Sequence, residues 1–298
     1  MKNWLVAFRL RTLPLALSSI GMGGFLAAAS HSFKPVIFLL ATLTTIFLQV
    51  LSNLANDYGD YKHGADNADR KGPRRAVESG AISAEKMKRA IWILSVLSLG
   101  TGLYLLYAAF GFLSPGFLGF LVLGLICIAA AIKYTAGKNP YGYSGYGDIS
   151  VFVFFGIIGV MGTYYIQTGS IYPSLILPAA ACGFFATGVL NINNIRDIES
   201  DSIAGKRSIP VRIGKRNAKF YHVFLLTLGM LCPLIYSILN FHSLVQLLFL
   251  VTYPLFVVNC LKVWKKESSE ELDPLLKQMA LSALFFVICF GIGLLVTM

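Results

Sequence analysis

Nine stretches of this chain are long and apolar enough to cross a bilayer, and no other feature narrows the possible folds as far. They run Leu13–Ala29, Val36–Leu54, Ile91–Phe110, Gly116–Ile132, Ile149–Thr168, Ser174–Ile192, Tyr221–Leu239, Leu244–Val263 and Met279–Val296. A spanning helix needs about 20 mostly apolar residues. Lipid offers the backbone no hydrogen bonds, so a chain with such stretches crosses as helices. The expectation is an all-α polytopic membrane protein with nine transmembrane helices. Composition agrees: 56% of the 298 residues are hydrophobic and only 13% are charged, with a mean hydropathy of +0.69. Soluble domains carry about a quarter charged residues, so a soluble globule has too little polar surface here. Lys2, Arg9 and Arg11, followed by an apolar run ending Ala27-Ala28-Ala29-Ser30, also have the outline of a secretory signal. The length of that run and the spans after it favour a first membrane helix.

The basic residues set the expected orientation. A net charge of +11 would point to nucleic acid in a soluble protein. With the N-terminus inside and nine alternating spans, 24 of the 25 lysines and arginines fall on the inner side. Only Lys34 lies outside, and all 14 acids are inside as well. Cytoplasmic loops are enriched in lysine and arginine. The reading is therefore a bacterial cytoplasmic (inner) membrane protein with its C-terminus outside, its chemistry on the cytoplasmic face and no nucleic-acid partner. The five cysteines have no metal-ligand spacing and sit in or beside apolar runs, so neither disulfides nor zinc are expected.

Two acidic clusters close apolar runs of even separation, the second and the sixth, and so emerge on one side. The first is NLANDYGDYKHGADNAD, Asn53 to Asp69, and the second is NINNIRDIESDSIAGKRS, Asn191 to Ser208. Each is followed by glycine and basic residues: Gly72-Pro73-Arg74-Arg75 and Gly205-Lys206-Arg207. This reads as one domain over residues 1–298, a diverged repeat of helices 1–4 and 5–8 with a ninth helix at 279–296. Asn56 and Asp60 are four residues apart, as are Asp197 and Asp201, so each pair shares a helix face. Opposed carboxylates near lipid repel one another unless a cation joins them. Hard oxygen donors without His or Cys select Mg²⁺, or Mn²⁺, held partly by substrate phosphates. Neighbouring arginines and lysines suit the remaining phosphate oxygens. The bland alternative is that these acids only solvate helix ends and balance basic neighbours.

The two clusters resemble the paired Asp-rich motifs of the UbiA superfamily of intramembrane prenyltransferases. Lys133–Gly169, KYTAGKNPYGYSGYGDISVFVFFGIIGVMGTYYIQTG, and Gly72–Gly80, GPRRAVESG, are similar to its 1,4-dihydroxy-2-naphthoate prenyltransferase branch. The resemblance implies nine helices around a central cavity and two Mg²⁺ ions bridging a polyprenyl diphosphate. It implies Asn56, Asp57, Asp60, Asp66, Asp197 and Asp201 at the metals. Asn53, Arg74, Arg75, Asn193, Asn194, Arg196 and Lys206 would contact substrate. Tyr134 and Lys138 match a Tyr-x-x-x-Lys element acting on the leaving group. The reaction implied is transfer of the polyprenyl group to 1,4-dihydroxy-2-naphthoate with loss of CO₂, in menaquinone biosynthesis. Asp148 is a candidate to orient or deprotonate the acceptor, or an N-cap of the fifth helix. Tyr141, Tyr143, Tyr146, Tyr164 and Tyr165 could shield a carbocation or form an interfacial aromatic belt. Two other readings stand: a different acceptor, such as 4-hydroxybenzoate or homogentisate, and a transporter. A transporter would place acids or broken helices near midplane, whereas here the acids cluster at the inner ends.

Overall fold

The computed structural model describes residues 2–65, 74–266 and 268–297. Among these, every regular element is helical and no strand occurs. Nine helices are long and apolar enough to cross a membrane: α1 (Lys2–Ala29), α2 (Pro35–Lys62), α3 (Ala84–Phe110), α4 (Pro115–Lys133), α5 (Gly147–Thr168), α6 (Pro173–Arg196), α7 (Ile209–Leu239), α8 (Leu244–Lys265) and α9 (Glu270–Val296). Each of the nine apolar stretches lies inside one of them.

The starts are coded locally. Ser83 and Ser114 cap α3 and α4 by accepting from the amides of Lys86 and Phe117. Pro35 and Pro115 occupy first turns, where a missing N–H costs nothing. The helices outrun the apolar stretches mainly at the end bearing the acidic motifs. Thus α2 continues from Leu54 to Lys62, and α7 begins at Ile209 rather than Tyr221. Hydropathy marks only the part of a helix that lipid or core surrounds. Beyond Leu54 the α2 backbone stays helical while Asn56 and Asp60 face a polar chamber, whereas the added start of α7 is kinked at Gly214.

Helices α1, α6 and α9 form the buried centre, and α3 and α4 lie at the periphery. Phe185 of α6 stacks on Phe256 of α8 at 4.1 Å and meets Phe286 of α9 edge-on at 5.2 Å. A polar chain ties α7, α8 and α9: His222 donates to Asn259 at 3.0 Å, and Asn259 donates to Gln278. Such interhelical bonds contribute about 0.6 kcal/mol each in a bilayer. A wide, π-type run at Phe152–Gly162 interrupts α5, a device common at functional sites.

Candidate active site

The first motif occupies the last turns of α2. Asp60, 3% exposed, pairs with Arg75 at 2.9 Å and accepts from the Tyr143 hydroxyl at 2.9 Å. Asn53 donates to the Phe8 carbonyl at 2.9 Å and to the Thr12 hydroxyl at 3.0 Å, fixing α2 to the irregular turn in α1. Asn56 accepts from Thr135 at 3.0 Å. Asp57 is buried and turned toward backbone amides. Its two oxygens accept the amides of Ala76 and Val77 at 3.1 and 3.2 Å, so it anchors the segment that carries Arg75. Asp66 and Asp69 lie outside the described residues.

The second motif ends α6 and forms a short helix, Ile198–Ile203. Arg196, 2% exposed, grips both oxygens of Asp197 at 2.8 and 2.7 Å and reaches Asn193 at 2.8 Å. It also pairs with Asp273 at 2.5 Å, and Asp273 holds Arg11 at 2.7 Å. Lys206 sits 3.2 Å from both oxygens of Asp201. Burial alone would lower the Lys206 pKa, but the carboxylates of Asp201, Asp60 and Asp197 outweigh it and hold it above its ordinary value. One ammonium thus feels all three aspartates, so the two motifs do face each other. Burial, with Asp197 and Asp60 nearby, pushes Asp201 up from the usual carboxylate range despite Lys206.

The segment between α4 and α5 closes the site. It can approach α2 because residue 59 is glycine: a Cβ there would lie 2.4 Å from the Thr135 carbonyl oxygen. Arg207 donates its amide to the Tyr143 carbonyl at 2.8 Å, and Arg212 donates to the Ser144 carbonyl at 2.7 Å. Gly145, at φ 82°, leaves room for the Arg212 guanidinium. This clamp aims the Tyr143 hydroxyl at Asp60. Burial and then the Asp60 charge raise the Tyr143 pKa, so it stays a donor. Lys206 lies 5.7 Å above its ring.

Two contiguous cavities result. A polar chamber of about 150 Å³ is lined by Asn53, Asn56, Asp60, Arg75, Tyr134, Asn193, Asn194 and Lys206, joined by Arg9, Arg11 and Lys277. A larger, mostly apolar cavity of about 370 Å³ runs from it between α1, α2, α3, α4 and α5. Gln49, Asn53, Asn56 and Tyr134 belong to both. Helices α4 and α5 scarcely approach each other along their length. Tyr141 bridges the carbonyl of Ala130 and the hydroxyl of Ser150 at the motif end, both at 3.0 Å. At the other end Phe120 stacks on Tyr165 at 5.5 Å. Between these bridges α4 and α5 stay apart, and both line the apolar cavity.

Of the expected site residues, Arg74 and Lys138 are exposed and outside both linings. Asp148 is buried, with Tyr221 beside it. The N-cap of its helix is Tyr146, not Asp148. Tyr134 packs against Tyr141 at 5.4 Å. Burial, then the charge of Asp148, raises its pKa. Tyr164 is a core residue bonded to Ser30 at 3.1 Å, away from the chamber. Sequence reasoning did not single out Thr135, Gln49 or Asp273 as site residues, and it offered Tyr143 as a cation shield rather than as a partner of Asp60. Their partners lie 79 to 83 residues away for Thr135 and Tyr143 and 77 for Asp273. Arg9 and Arg11 were visible only as flanking positive charge.

A profile of the UbiA prenyltransferase family matches residues 16–288. The chain belongs to that family. A relative named 1,4-dihydroxy-2-naphthoate octaprenyltransferase, from Haemophilus influenzae, is 45% identical over 99% of this chain and 96% of its own. One of the same name from Escherichia coli is 46% identical over 98% and 94%. Among solved structures, an apo UbiA homologue from Aeropyrum pernix superposes with TM-score 0.70 at 16% identity, covering 97% of this chain and 98% of that one. A UbiA homologue from Archaeoglobus fulgidus bound to DMAPP and Mg²⁺ gives 0.65 at 16%, covering 99% and 100%. Both show the UbiA fold in this protein.

The donor set fits a hard divalent cation. The UbiA motif residues offer only oxygens, and the buried Asn194 Oδ1 has no hydrogen-bond partner among the described residues. No three acidic, histidine or cysteine side chains among those residues converge as a ready-made cage. Mg²⁺ does not ask for one, since it completes its shell with water and substrate phosphate.

Proposed function

We propose that this membrane enzyme transfers a polyprenyl group from its allylic diphosphate to 1,4-dihydroxy-2-naphthoate, with loss of CO₂, on the cytoplasmic face of a bacterial inner membrane. The observation that carries this reading is the pair of joined cavities. A chamber lined by Asp60, Asn56, Asn194 and five basic side chains suits a diphosphate with its metal, and the adjoining apolar cavity suits its lipid tail. The near-half identity to relatives bearing that enzyme name supports the acceptor.

Asp60, Asp197 and Asp201, with Asn56 and Asn194, would hold Mg²⁺, as two ions, with Mn²⁺ as an alternative. Bound there, the metal stabilises negative charge on the departing diphosphate. Arg75, Lys206 and Arg196, now spent on the carboxylates, are placed to turn to the phosphate oxygens, with Asn53 and Asn193 fixing the chamber walls. The Tyr134 hydroxyl stands where the polar chamber meets the apolar cavity and stabilises the bridging oxygen as the C–O bond breaks. Apolar walls exclude water from the allylic cation. An electron-rich ring carbon then attacks it, forming the C–C bond. The acceptor carboxylate leaves as CO₂, and diphosphate is the other product. Asp148, with Tyr221, orients the acceptor side of the chamber. Asp66 completes the first motif; Arg74 and Lys138 approach when the diphosphate is bound. The matching carboxylate–cation pairs Asp60–Arg75 and Asp201–Lys206 support descent from a repeat of α1–α4 and α5–α8.

The test is product analysis. Purified protein with Mg²⁺, a long prenyl diphosphate and a mixture of dihydroxynaphthoate and 4-hydroxybenzoate should yield the decarboxylated prenyl naphthoquinol by mass spectrometry. Asp60→Ala and Asp197→Ala should each abolish it. Prenylation of hydroxybenzoate alone would reject the acceptor.

A further inference from the structure

The neck joining the two cavities is built from few polar groups, and their commitments differ. Gln49, Asn53 and Asn56 follow one face of α2, with Tyr134 among the residues common to both linings. Asn53 Oδ1 takes a bond from Gln49 Nε2 at 3.3 Å, and Asn56 Oδ1 takes one from Thr135 at 3.0 Å. Gln49 Nε2 is shared with Thr12 Oγ1, also at 3.3 Å. Gln49 Oε1 accepts no hydrogen bond among the described residues. It is the one amide oxygen at the neck left uncommitted.

The reacting carbon of an allylic diphosphate is one bond from its head, so it rests where the polar chamber gives way to the apolar cavity. A nucleophilic ring carbon must come within about 3–3.5 Å of it. The acceptor ring therefore sits at the neck, and its hydroxyls need acceptors there. We infer that Gln49 Oε1 accepts a hydrogen bond from a phenolic hydroxyl of the acceptor, making Gln49 a specificity-determining residue. This rests on the prenyl-transfer reading above. A site that pairs with a hydroxyl rejects an analogue lacking it, because its own polar atom is then buried unpaired.

Removing a hydroxyl also makes the ring less nucleophilic, so turnover would confuse recognition with reactivity. The experiment is equilibrium binding to the Mg²⁺-loaded protein in the presence of a non-ionising prenyl thiolodiphosphate. The probes are 1,4-dihydroxy-2-naphthoate, 1-hydroxy-2-naphthoate and 4-hydroxy-2-naphthoate. Wild type should bind one monohydroxy probe about 10-fold more weakly than the dihydroxy compound, the worth of one hydrogen bond. Gln49→Met, close in shape but without the oxygen, should bind the dihydroxy compound about 10-fold more weakly and no longer distinguish it from that probe. Gln49→Glu, which keeps an oxygen, should retain discrimination. Unchanged discrimination in Gln49→Met, or none in wild type against either probe, overturns the assignment. If wild type prenylates only some other acceptor, the functional reading itself fails, and this inference with it.

Discussion

At the residue scale the site is a set of carboxylates each already matched to a cation. Asp60 has Arg75, Asp197 has Arg196 and Asp201 has Lys206. Hydrogen bonds to charged groups contribute about 1.5–3 kcal/mol each, so these pairs compete with a metal until a diphosphate takes over the cations. Lys206→Met should therefore move two affinities in opposite directions. Mn²⁺ alone, followed by electron paramagnetic resonance, should bind about 10-fold more tightly, because a positive charge has left the three carboxylates. Affinity for prenyl diphosphate should fall by at least as much. Weaker binding of both would show Lys206 to be only a structural prop. Asp201 carries a pH signature. Its folded pKa lies above the unfolded 3.8, so the folded chain holds that proton more tightly. Its stability contribution is full below the unfolded pKa and lost as pH rises through the folded one. Without added metal, wild type should lose stability relative to Asp201→Asn as the pH is raised from about 4. Thermal midpoints of both proteins across that range check it, and a parallel pair of curves would remove the shift.

At the element scale, the helices were legible and their far ends were not. Nine apolar runs named nine helices, because lipid forces backbone satisfaction within each segment. The same signal stopped at Leu54 and Ile192, whereas α2 and α6 run on to Lys62 and Arg196. Hydropathy says nothing of a polar face that lines a chamber. Spacing put Asn56 with Asp60, and Asp197 with Asp201, on shared helix faces, and Asp57 shows the limit of that argument. It shares the motif and the helix with Asp60 and points elsewhere, onto the amides of Ala76 and Val77. No local pattern states which of two neighbouring carboxylates meets a segment some 20 residues on. The consequence separates the two residues experimentally. Asp57→Ala leaves two buried amides unpaired and should cost about 2–4 kcal/mol of stability, with activity reduced through displacement of Arg75 yet still measurable. Asp60→Asn, which still accepts from Tyr143, should lose less stability than Asp57→Ala and show no activity. Asp57→Ala with full stability and no turnover would return Asp57 to the metal.

At the scale of the whole molecule, the decisive relation is between the cavity and the substrate tail. A cavity volume of about 370 Å³ lies in the range of about 300–1,000 Å³ that surrounds a drug-sized ligand. The polyprenyl tail proposed for this enzyme outgrows such a space once it is long. Helices α4 and α5 stay apart between the Tyr141 bridge and the Phe120–Tyr165 stack. The far part of a long tail can then lie among lipid chains, at no cost in exposed apolar surface. Chain length would be limited by the gap rather than by the cavity floor. Cys127 of α4 lines the apolar cavity, and its enlargement tests this directly. Cys127→Trp should leave turnover of a ten-carbon diphosphate within about 2-fold, since the short tail stays inside. With a forty-carbon diphosphate, kcat/KM should fall more than 10-fold, equivalent to about 1.4 kcal/mol of transition-state binding. Equal losses on both substrates would mean that the bulky side chain spoils the site itself. Equal retention would mean that long tails leave by another route, and the separation of α4 from α5 would then have no part in substrate choice.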